Sequence, residues 1–410
     1  MIGILQHGIV QRLDRDQVRI LRPGKNGGQP AFIEVPDDLA NEFRLANGDI
    51  VAGHIETIEY LDSEEDNPED DLHLQLDEPA ARRSDLSRMF DNGAHFGYRL
   101  CSVSSVNGVA AADADDRPYP VTKRNASERT RPDRWLRLAT GSDDWQGKLI
   151  DFAAPLGAGV TGAITGPHGV GLSSLMATVL KGIQVNSPDC IVLLLAMQCR
   201  AEEVTALRRR FPNIDIVVAP PVSQDITPTT ALMIPNLMLQ AALRQTEFGR
   251  DVVLAIDSLT ALWGALLEAE DATAQFEADH SGARRSIRDY IGHAGCFHGE
   301  SPLGGGCGGS LTIIGTVWDQ PLDADAEEDR ETHPHLRLIE HIVPDLSWRV
   351  VLDPDLARRR LYPAIDISRS RSNNDRDVVP ADVLESIETL RAAIPRADPA
   401  AAWLALESMV

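Results

Sequence analysis

The chain has 410 residues, enough for two or three domains with a large hydrophobic core. Its 39 basic and 62 acidic residues give a formal net charge of −23, which argues against a protein whose whole surface binds a polyanion. The five cysteines are scattered, and no apolar run reaches the roughly 20 residues of a membrane helix. We therefore expect no disulfide framework and no membrane span, and a cytoplasmic location.

The first 60 residues are predicted to form a small β-barrel. Short apolar segments alternate there with glycine turns at 23–28 and 47–49, a spacing typical of barrels. The segment 62–71 then contains seven acids, and such a block is usually a solvated linker. The predicted barrel strands are 3–11, 17–21, 31–35 and 50–60. The predicted divisions are a barrel over 1–60, an acidic linker over 61–84 and a connector over 85–145.

After residue 146 the pattern changes to apolar strands that alternate with helical segments. Alternation of this kind predicts an α/β domain with a mostly parallel sheet and helices on both faces. We assign 146–375 to this domain and 376–410 to C-terminal amphipathic helices. The predicted strands are 162–165, 190–197, 214–219, 252–257 and 311–317.

The segment 161–174 has the order strand, glycine loop, helix that is typical of a phosphate-binding loop. Gly166 and Gly171 are separated by four residues. Glycines at these places let backbone N–H groups surround phosphate oxygens at a helix N-terminus. A glycine-rich turn that binds no ligand is the alternative interpretation of the same pattern.

Leu172 occupies the position at which a phosphate-binding loop has lysine. That lysine contacts the β- and γ-phosphates, and the hydroxyl residue after it, Ser173 in this chain, binds Mg²⁺. Leucine offers neither a charge nor a donor, and losing one preorganised donor lowers a rate by roughly a hundredfold to a thousandfold. A nucleotide could still rest on the loop amides, but hydrolysis is expected to be slow.

Asp257 ends the apolar segment 252–257 and is followed by Ser258. An acid at the carboxyl end of a strand beside the phosphate loop is where the Mg²⁺-linked acid lies in P-loop enzymes. The alternative is that Asp257 or Ser258 caps the next helix.

Six segments together resemble the bacterial transcription termination factor Rho family: 149–162, 187–190, 200–204, 254–260, 309–314 and 362–370. Residues 8–56 also resemble the OB-type RNA-binding domain of that family. The resemblance implies an OB- or cold-shock-like barrel followed by a RecA-like P-loop NTPase core. It further implies a hexameric ring that binds ATP and Mg²⁺ between subunits, pulls RNA through its centre and acts with RNA polymerase.

The resemblance also implies roles for individual residues. Arg200 corresponds to an arginine that contacts the nucleotide, Asp257 to the Mg²⁺-linked acid, and Ser173 to the Mg²⁺ hydroxyl. Tyr362 corresponds to the aromatic residue that packs on adenine, and Arg369 to the arginine finger given to the neighbouring subunit. Alternatively, Tyr362 is a half-buried structural aromatic and Arg369 pairs with an acid. Two segments correspond to the nucleotide-binding loops: Gly157, Ala158, Gly159, Val160, Thr161 and Gly162, and Gly169, Val170, Gly171, Leu172, Ser173 and Ser174.

Two residues depart from the family at catalytic positions. Leu172 replaces the lysine, and Cys199 stands where the family has the glutamate that polarises the attacking water. A thiol of ordinary pKa is mostly neutral at pH 7 and substitutes poorly for a carboxylate base. Little hydrolysis is therefore expected.

The features for binding RNA are also reduced. The strand that carries stacking aromatics in the family reads Gln17-Val-Arg-Ile-Leu21 here, which leaves Phe32 as the candidate stacking residue. Base stacking contributes about 1 to 3 kcal/mol per base, so the loss of two platforms weakens binding. The segment 323–329, where the family has a pore-loop lysine, is acidic and would repel phosphate.

Three functions are compatible with these observations. The first is a divergent Rho-type protein, a homo-hexamer in transcription termination whose hydrolysis is weakened or lost. The second is a non-enzymatic partner that caps or co-assembles with a genuine Rho through Arg369 and whose acidic surface imitates RNA. The third is an acidic scaffold in which the P-loop fold is only architecture. A metal site is not expected at His293, Cys296, His298 and Cys307, because their spacing matches no common zinc module.

Overall fold

The chain forms an N-terminal β-barrel followed by an α/β domain, and the predicted fold class is confirmed. The computed structural model describes residues 2–13, 17–22, 31–58, 98–116, 129–197, 199–219, 227–272, 281–297, 309–319, 337–395 and 398–409. The glycine turn 23–28 and the acidic segments 62–71 and 323–329 lie outside the described residues.

Strand pairing closes the barrel. β1 pairs with β2 and β4, β2 with β3, and β4 with β5, and a parallel pairing of Glu34 with Arg99 joins β3 to β5. Side chains alternate across each strand, so one set fills the interior, including Val10, Ile20 and Ile33. The elements are β1 Ile2–Arg12, β2 Val18–Arg22, β3 Ala31–Glu34, α1 Asp37–Glu42, β4 Ile50–Thr57, β5 Tyr98–Val106 and β6 Val109–Ala110.

The barrel extends further along the chain than the predicted boundary at residue 60. Strand β5 belongs to it, although the sequence pattern placed 85–145 in a connector. Two register shifts between β4 and β5 change the usual alternation, so the buried residues of β5 are Leu100, Val103 and Val106, three apart. Because a half-buried strand is recognised by burial of every second residue, β5 lacks the expected signal.

A nine-stranded sheet forms the centre of the α/β domain. Six strands run parallel in the order β10-β9-β11-β13-β8-β14, and the short strands β15, β12 and β7 pair antiparallel at its margins. Every residue of β11 is buried, as expected for a strand covered on both faces. The strands are β7 Arg129–Thr130, β8 Thr161–Gly166, β9 Ile191–Met197, β10 Asp215–Ala219, β11 Val252–Asp257, β12 Gly295–Phe297, β13 Ser310–Trp318, β14 Trp348–Val351 and β15 Arg371–Ser372.

Helices pack on both faces of this sheet. One hydrophobic cluster joins the sheet to α2, α3 and the C-terminal helices, and the other joins it to α5, α6 and α7. Among the described residues, no helix is long and apolar enough to cross a membrane. The helices are α2 Trp145–Ala153, α3 Leu172–Asn186, α4 Ala201–Arg210, α5 Pro228–Thr246, α6 Leu259–Ala272, α7 Ser281–Ile291, α8 Leu338–Ile342, α9 Pro354–Arg358, α10 Asp375–Val378, α11 Ala381–Ala393 and α12 Pro399–Met409.

The outer face of β1, β2 and β3 packs against the α/β domain. Ile9, Leu21 and Phe32 belong to the same hydrophobic cluster as α5. Phe32 is only 4% exposed, and the guanidinium of Arg19 lies 4.0 Å from the centre of its ring. This burial contradicts the predicted stacking of Phe32 on an RNA base, because a base needs an open ring face.

A buried polar network fixes the barrel to α5. Asp49 has no exposed surface and accepts hydrogen bonds from Arg244 Nε (2.7 Å), Asn107 Nδ2 (2.6 Å) and the backbone N–H of Ala46 (2.8 Å). Gln245 of α5 donates to Asn107 Oδ1 at 2.8 Å. Barrel and helix therefore share one set of charges and donors that is removed from water.

Gly159 precedes β8 in a conformation that only glycine adopts easily. Its φ is 80°, and an added Cβ would lie 2.5 Å from Cys296 Sγ and 2.8 Å from the backbone nitrogen of Cys296. We expect Gly159→Ala to lower the free energy of unfolding by about 2 kcal/mol, from left-handed strain and overpacking. Urea denaturation measures this change.

Gly141→Ala is the matched control, because nothing lies within 4 Å of a Cβ at that position. The control should stay within about 0.5 kcal/mol of the wild type. Equal stability of the two variants would show that the Gly159 turn accommodates a side chain.

Candidate nucleotide site

The carboxyl ends of four parallel strands lie level at one edge of the sheet. Asp257 at the end of β11 is opposite Ala196 of β9, and Trp318 at the end of β13 is opposite Gly166 of β8. Ligands of open α/β sheets bind at this edge. The predicted glycine loop, Cys199 and Asp257 therefore share one end of the domain.

The glycine loop connects β8 to α3, as predicted. Gly169 and Gly171 have φ angles of 81° and 107°, and no heavy atom lies within 4 Å of a Cβ built on either residue. Two left-handed residues turn the chain sharply, and the space beside them is open. The first turn of α3 directs its unpaired N–H groups toward that space, which suits an anion.

The side chain of Leu172 does not face the open space beside the loop. It is 5% exposed and belongs to the hydrophobic cluster with Leu175 and Met176. Ser173 and Ser174, which follow it, are exposed. The loop thus offers backbone donors and hydroxyl groups, but no charge at the lysine position.

The other predicted nucleotide segment lies elsewhere. It comprises Gly157, Ala158, Gly159, Val160, Thr161 and Gly162, which lead into and begin β8, whereas the loop follows its far end. Gly162 and Gly166 are separated by about 13 Å at the rise of a strand. Gly159 N–H donates to Thr312 Oγ1 and Ala158 N–H to the carbonyl of Arg134. These donors are used inside the protein, so the structure does not bring the two predicted segments together.

Asp257 is oriented by its neighbour strand. Thr316 of β13 donates from its hydroxyl to Asp257 Oδ1 at 2.6 Å, and Oδ2 accepts no hydrogen bond from the described residues. Ser258 Oγ accepts the N–H of Ala261, so Ser258 rather than Asp257 caps α6. A free carboxylate oxygen and the Ser173 hydroxyl are hard oxygen ligands of the kind that Mg²⁺ prefers. These two residues fit a Mg²⁺ ion that accompanies a nucleotide.

Cys199 contacts the backbone of Asp257 and is poorly suited to act as a base. Its Sγ is 3.6 Å from the backbone oxygen of Asp257. Burial, with the charges of Asp257 and Glu203, raises the pKa of the Cys199 thiol to about 12. The thiol is therefore protonated and neutral near pH 7, and it does not replace a carboxylate that polarises water.

The raised pKa of Cys199 predicts low thiol reactivity. Because only the thiolate is nucleophilic, alkylation of Cys199 at pH 8 should be at least about a hundredfold slower in the folded protein than in urea. Iodoacetamide labelling followed by peptide mass spectrometry measures both rates. Equal rates would mean that the folded environment does not raise the pKa of the Cys199 thiol. The argument against a base at this position would then rest only on the ordinary pKa of a thiol.

The remaining predicted residues are exposed at the surface. Arg200 precedes α4, and its backbone N–H donates to the carboxylate of Glu203 at 3.1 Å. Tyr362 is 52% exposed and donates from its hydroxyl to the Ala357 carbonyl. The side chain of Arg369 is 53% exposed and approaches Asp366 at 4.0 Å. About half of the Tyr362 surface is thus exposed and half is covered, which is compatible with both interpretations of this residue. Arg369 has only a distant carboxylate.

Three residues near this edge were not singled out from the sequence. Thr316 donates a hydrogen bond to Asp257. In the sequence it stands out only as a hydroxyl residue within the apolar segment 311–317. His168, in the glycine loop, packs edge to face on Trp318, with ring centres 5.1 Å apart. Arg349 of β14 donates to Thr165 Oγ1 at 3.2 Å, immediately before the loop. Pairing between β8, β13 and β14 creates these contacts, and no spacing in the sequence indicates them.

The His–Cys cluster does not form a metal centre among the described residues. His293 Nδ1 lies 2.7 Å from the Asp289 carbonyl, and Cys296 Sγ is 3.3 Å from the Ala158 carbonyl. His298 and Cys307 lie outside the described residues. Within the described ranges, no group of three or more His, Cys, Asp or Glu side chains is placed to hold a metal ion.

Comparison with known proteins identifies the family of the chain. The family model described as ATP synthase alpha/beta family, nucleotide-binding domain, matches residues 147–372, more than half of the chain. The chain is 28% identical to transcription termination factor Rho of Gemmatimonas aurantiaca, over 79% of this chain and 42% of that protein. It is also 28% identical to Rho of Bacillus subtilis, over 72% of this chain and 64% of that protein. The chain thus spans about half the length of the curated relatives it matches.

Two solved structures share the fold. One is a prototypical ATPase from the type III secretion system of pathogenic bacteria, with a TM-score of 0.51 and 20% identity over 68% of this chain and 77% of that chain. The other is the assembled ATPase EscN from enteropathogenic E. coli, with a TM-score of 0.50 and 21% identity over 67% of this chain and 62% of that chain. The glycine loop lies within the residues that the family model matches, and the Rho relatives also align with most of the chain. The chain belongs to the ATP synthase alpha/beta nucleotide-binding family, in which it is a divergent Rho-like protein.

Proposed function

We propose that the chain is a Rho-like protein that binds ATP with Mg²⁺ and hydrolyses it weakly or not at all, in transcription termination or its regulation. The observation that carries this proposal is the combination of an open glycine loop with a buried Leu172 at its lysine position. The loop keeps the donors that bind phosphate. It lacks the charge that stabilises the transition state.

Different residues of the chain would bind the phosphates, the Mg²⁺ ion and the adenine. Backbone N–H groups of the loop and of the first turn of α3 would hold the phosphates, since these donors face open space. Ser173 and Asp257 would hold Mg²⁺, which supplies charge compensation between phosphate oxygens. Thr316 would keep the Asp257 carboxylate in place through its 2.6 Å hydrogen bond. Tyr362 would pack on the adenine.

Hydrolysis lacks two contributions in this arrangement. No ammonium group reaches the β- and γ-phosphates from Leu172, and the neutral Cys199 thiol does not polarise an attacking water. Each of these groups typically contributes a hundredfold or more to a rate. Bound ATP should therefore persist.

The partners we propose are RNA, RNA polymerase and further copies of the chain in a hexamer. RNA binding is expected to be weak, because the net charge is −23 and Phe32 is buried.

A second candidate function is regulation of a genuine Rho by co-assembly. The observation in its favour is that Arg369 and Tyr362 both remain exposed, although the loop chemistry of the chain is incomplete. An exposed arginine can act on the site of a neighbouring subunit. Mixing the chain with a Rho that carries the loop lysine and recording native mass spectra tests this: mixed rings support it, and separate assemblies contradict it.

Titration with a fluorescent ATP analogue and Mg²⁺ tests the first proposal. We expect saturable binding by the wild type and loss of binding in Gly171→Val, because a branched residue does not tolerate a φ of 107°. Gly141→Val is the control, since it adds the same side chain where nothing lies within 4 Å. Absence of binding by the wild type, or unchanged binding by Gly171→Val, would contradict the proposal.

A further inference from the structure

Three arginines lie near one another where β14 pairs with β15 at the edge of the sheet, close enough for the charges of Arg369 and Arg371 to act on Arg349. Arg349 of β14 and Arg371 of β15 are direct cross-strand partners in an antiparallel pair, and Arg369 lies two residues before Arg371. Like charges placed directly opposite each other destabilise a pair of strands. The arrangement thus costs stability unless an anion compensates it.

Among the described residues, few acidic groups lie close to these arginines. Arg349 comes no nearer to Asp319 than 4.0 Å, and Arg369 no nearer to Asp366 than 4.0 Å, which is too far for a hydrogen bond. The side chain of Arg371 forms no hydrogen bond or ion pair with any residue in the described part of the chain. The three guanidinium groups donate one side-chain hydrogen bond among them there, from Arg349 Nε to Thr165 Oγ1 at 3.2 Å. Most of their N–H donors remain available.

Arg349 is the least solvated of the three. Its side chain is 18% exposed. Burial lowers the pKa of Arg349, and the charges of Arg369 and Arg371 lower it further, against an opposing effect of Asp319. A cation in this position gains more from a bound anion than an exposed cation does, because water screens it less.

The position of the cluster indicates the kind of anion. Thr165, which Arg349 contacts, immediately precedes Gly166 at the start of the phosphate loop, and Asp319 N–H donates to the Gly166 carbonyl. Guanidinium groups bind phosphate oxygens with two parallel hydrogen bonds each, and three such groups suit a chain of phosphates better than a single carboxylate. The net charge of −23 makes a local excess of arginine at this edge unusual for the chain.

We propose that Arg349 and Arg371 extend the contact of Arg369 with a nucleotide: together they form a binding site for the phosphate chain of a nucleoside di- or triphosphate, and Arg349 and Arg371 supply positive charge that Leu172 does not. This inference rests on the proposed function, in which the glycine loop binds the nucleotide. The phosphate chain is either that of a nucleotide on the loop of the same chain or that of a nucleotide held by a second copy.

Calorimetric titration with inorganic tripolyphosphate and with ATP tests the site. The variants are Arg371→Gln, and Arg349→Gln combined with Arg371→Gln. We expect the double variant to bind tripolyphosphate at least about tenfold more weakly than the wild type. Arg371→Lys should have an affinity between those of the wild type and Arg371→Gln, because lysine keeps the charge but loses the paired hydrogen bonds of a guanidinium group. Arg358→Gln is the matched control: it makes the same charge change in a side chain that is 73% exposed and pairs with Asp355.

Thermal melting checks that the variants fold, and the exposed Arg371 variant alone keeps the test valid if Arg349→Gln unfolds. Tripolyphosphate affinities of Arg371→Gln and of the double variant equal to that of Arg358→Gln would overturn the proposal. If the double variant no longer binds tripolyphosphate while Gly171→Val leaves ATP binding unchanged, the arginine site is supported and the proposed function of the loop fails. If Gly171→Val loses ATP and the arginine variants bind both ligands normally, the proposed function stands and the cluster fails.

Mixing two variants identifies the source of the phosphate chain. The Gly171→Val chain keeps the arginine cluster, and the double arginine variant keeps the loop. If ATP bridges two copies, the mixture should bind ATP more tightly than either variant alone; if a single chain supplies both parts, it should not. Either result supports the cluster, provided that each variant alone binds ATP more weakly than the wild type.

Discussion

Replacing Arg244 with methionine is expected to lower the free energy of unfolding by about 3 to 5 kcal/mol. Arg244 is 4% exposed and donates to Asp49, which is fully buried, and it also pairs with Glu247. Methionine fills a similar volume but removes the cation that two buried carboxylates share. Because Asp49 belongs to the barrel and Arg244 to α5, the loss should also uncouple the barrel from the α/β domain.

Urea denaturation of three variants distinguishes this network from an ordinary ion pair. Asp49→Asn should lower the free energy of unfolding by less than Arg244→Met, because Arg244 keeps Glu247 as a partner. Arg358→Met removes a surface pair with Asp355 and should cost no more than about 1 kcal/mol. If Arg244→Met lowered the free energy of unfolding by no more than Arg358→Met does, the apolar contacts alone would hold the barrel to the α/β domain.

Restoring both missing groups is expected to raise the rate of ATP hydrolysis by at least about a hundredfold. The variant is Leu172→Lys combined with Cys199→Glu. The lysine stem can pack where Leu172 packs while its ammonium extends toward the loop, and the glutamate would lie beside Asp257, where Cys199 Sγ lies now. Each single variant should raise the rate of hydrolysis much less, because the effects of groups that act together in one transition state are not additive.

Leu172→Met combined with Cys199→Gln is the control for this gain. It fills similar volumes without adding charge or a base, so its rate should equal that of the wild type. Phosphate release at saturating ATP and Mg²⁺ measures all the rates, with thermal melting to confirm folding. A double variant as inactive as its control would mean that more than these two groups was lost from the site.

Local signals predicted the central part of the site. A left-handed glycine loop between a buried strand and a helix needs Gly169 and Gly171, so the sequence marks it directly. Asp257 was found because a fully apolar strand ends in one acid. Both features depend on neighbours in sequence, and the structure places both at the same edge of the sheet.

Features that depend on tertiary packing were not predicted. Phe32 was assigned to RNA, but its strand face packs on α5. Gly157 to Gly162 were grouped with the loop, although the length of β8 separates them. The pairing of Arg349 with Arg371 joins residues of two separate strands, and no local pattern indicates it. In each case the deciding contact comes from an element distant along the chain.

The fate of bound ATP tests the central claim most directly. The purified wild-type protein would be incubated with Mg²⁺ and γ-labelled ATP, with and without cytidine-rich RNA, and both retained nucleotide and released phosphate would be measured. We predict that most of the bound ATP is retained intact, and that phosphate release is slow or absent and does not rise when RNA is added. Phosphate release that RNA stimulates would contradict the account, because another group would then have to supply the charge that Leu172 lacks.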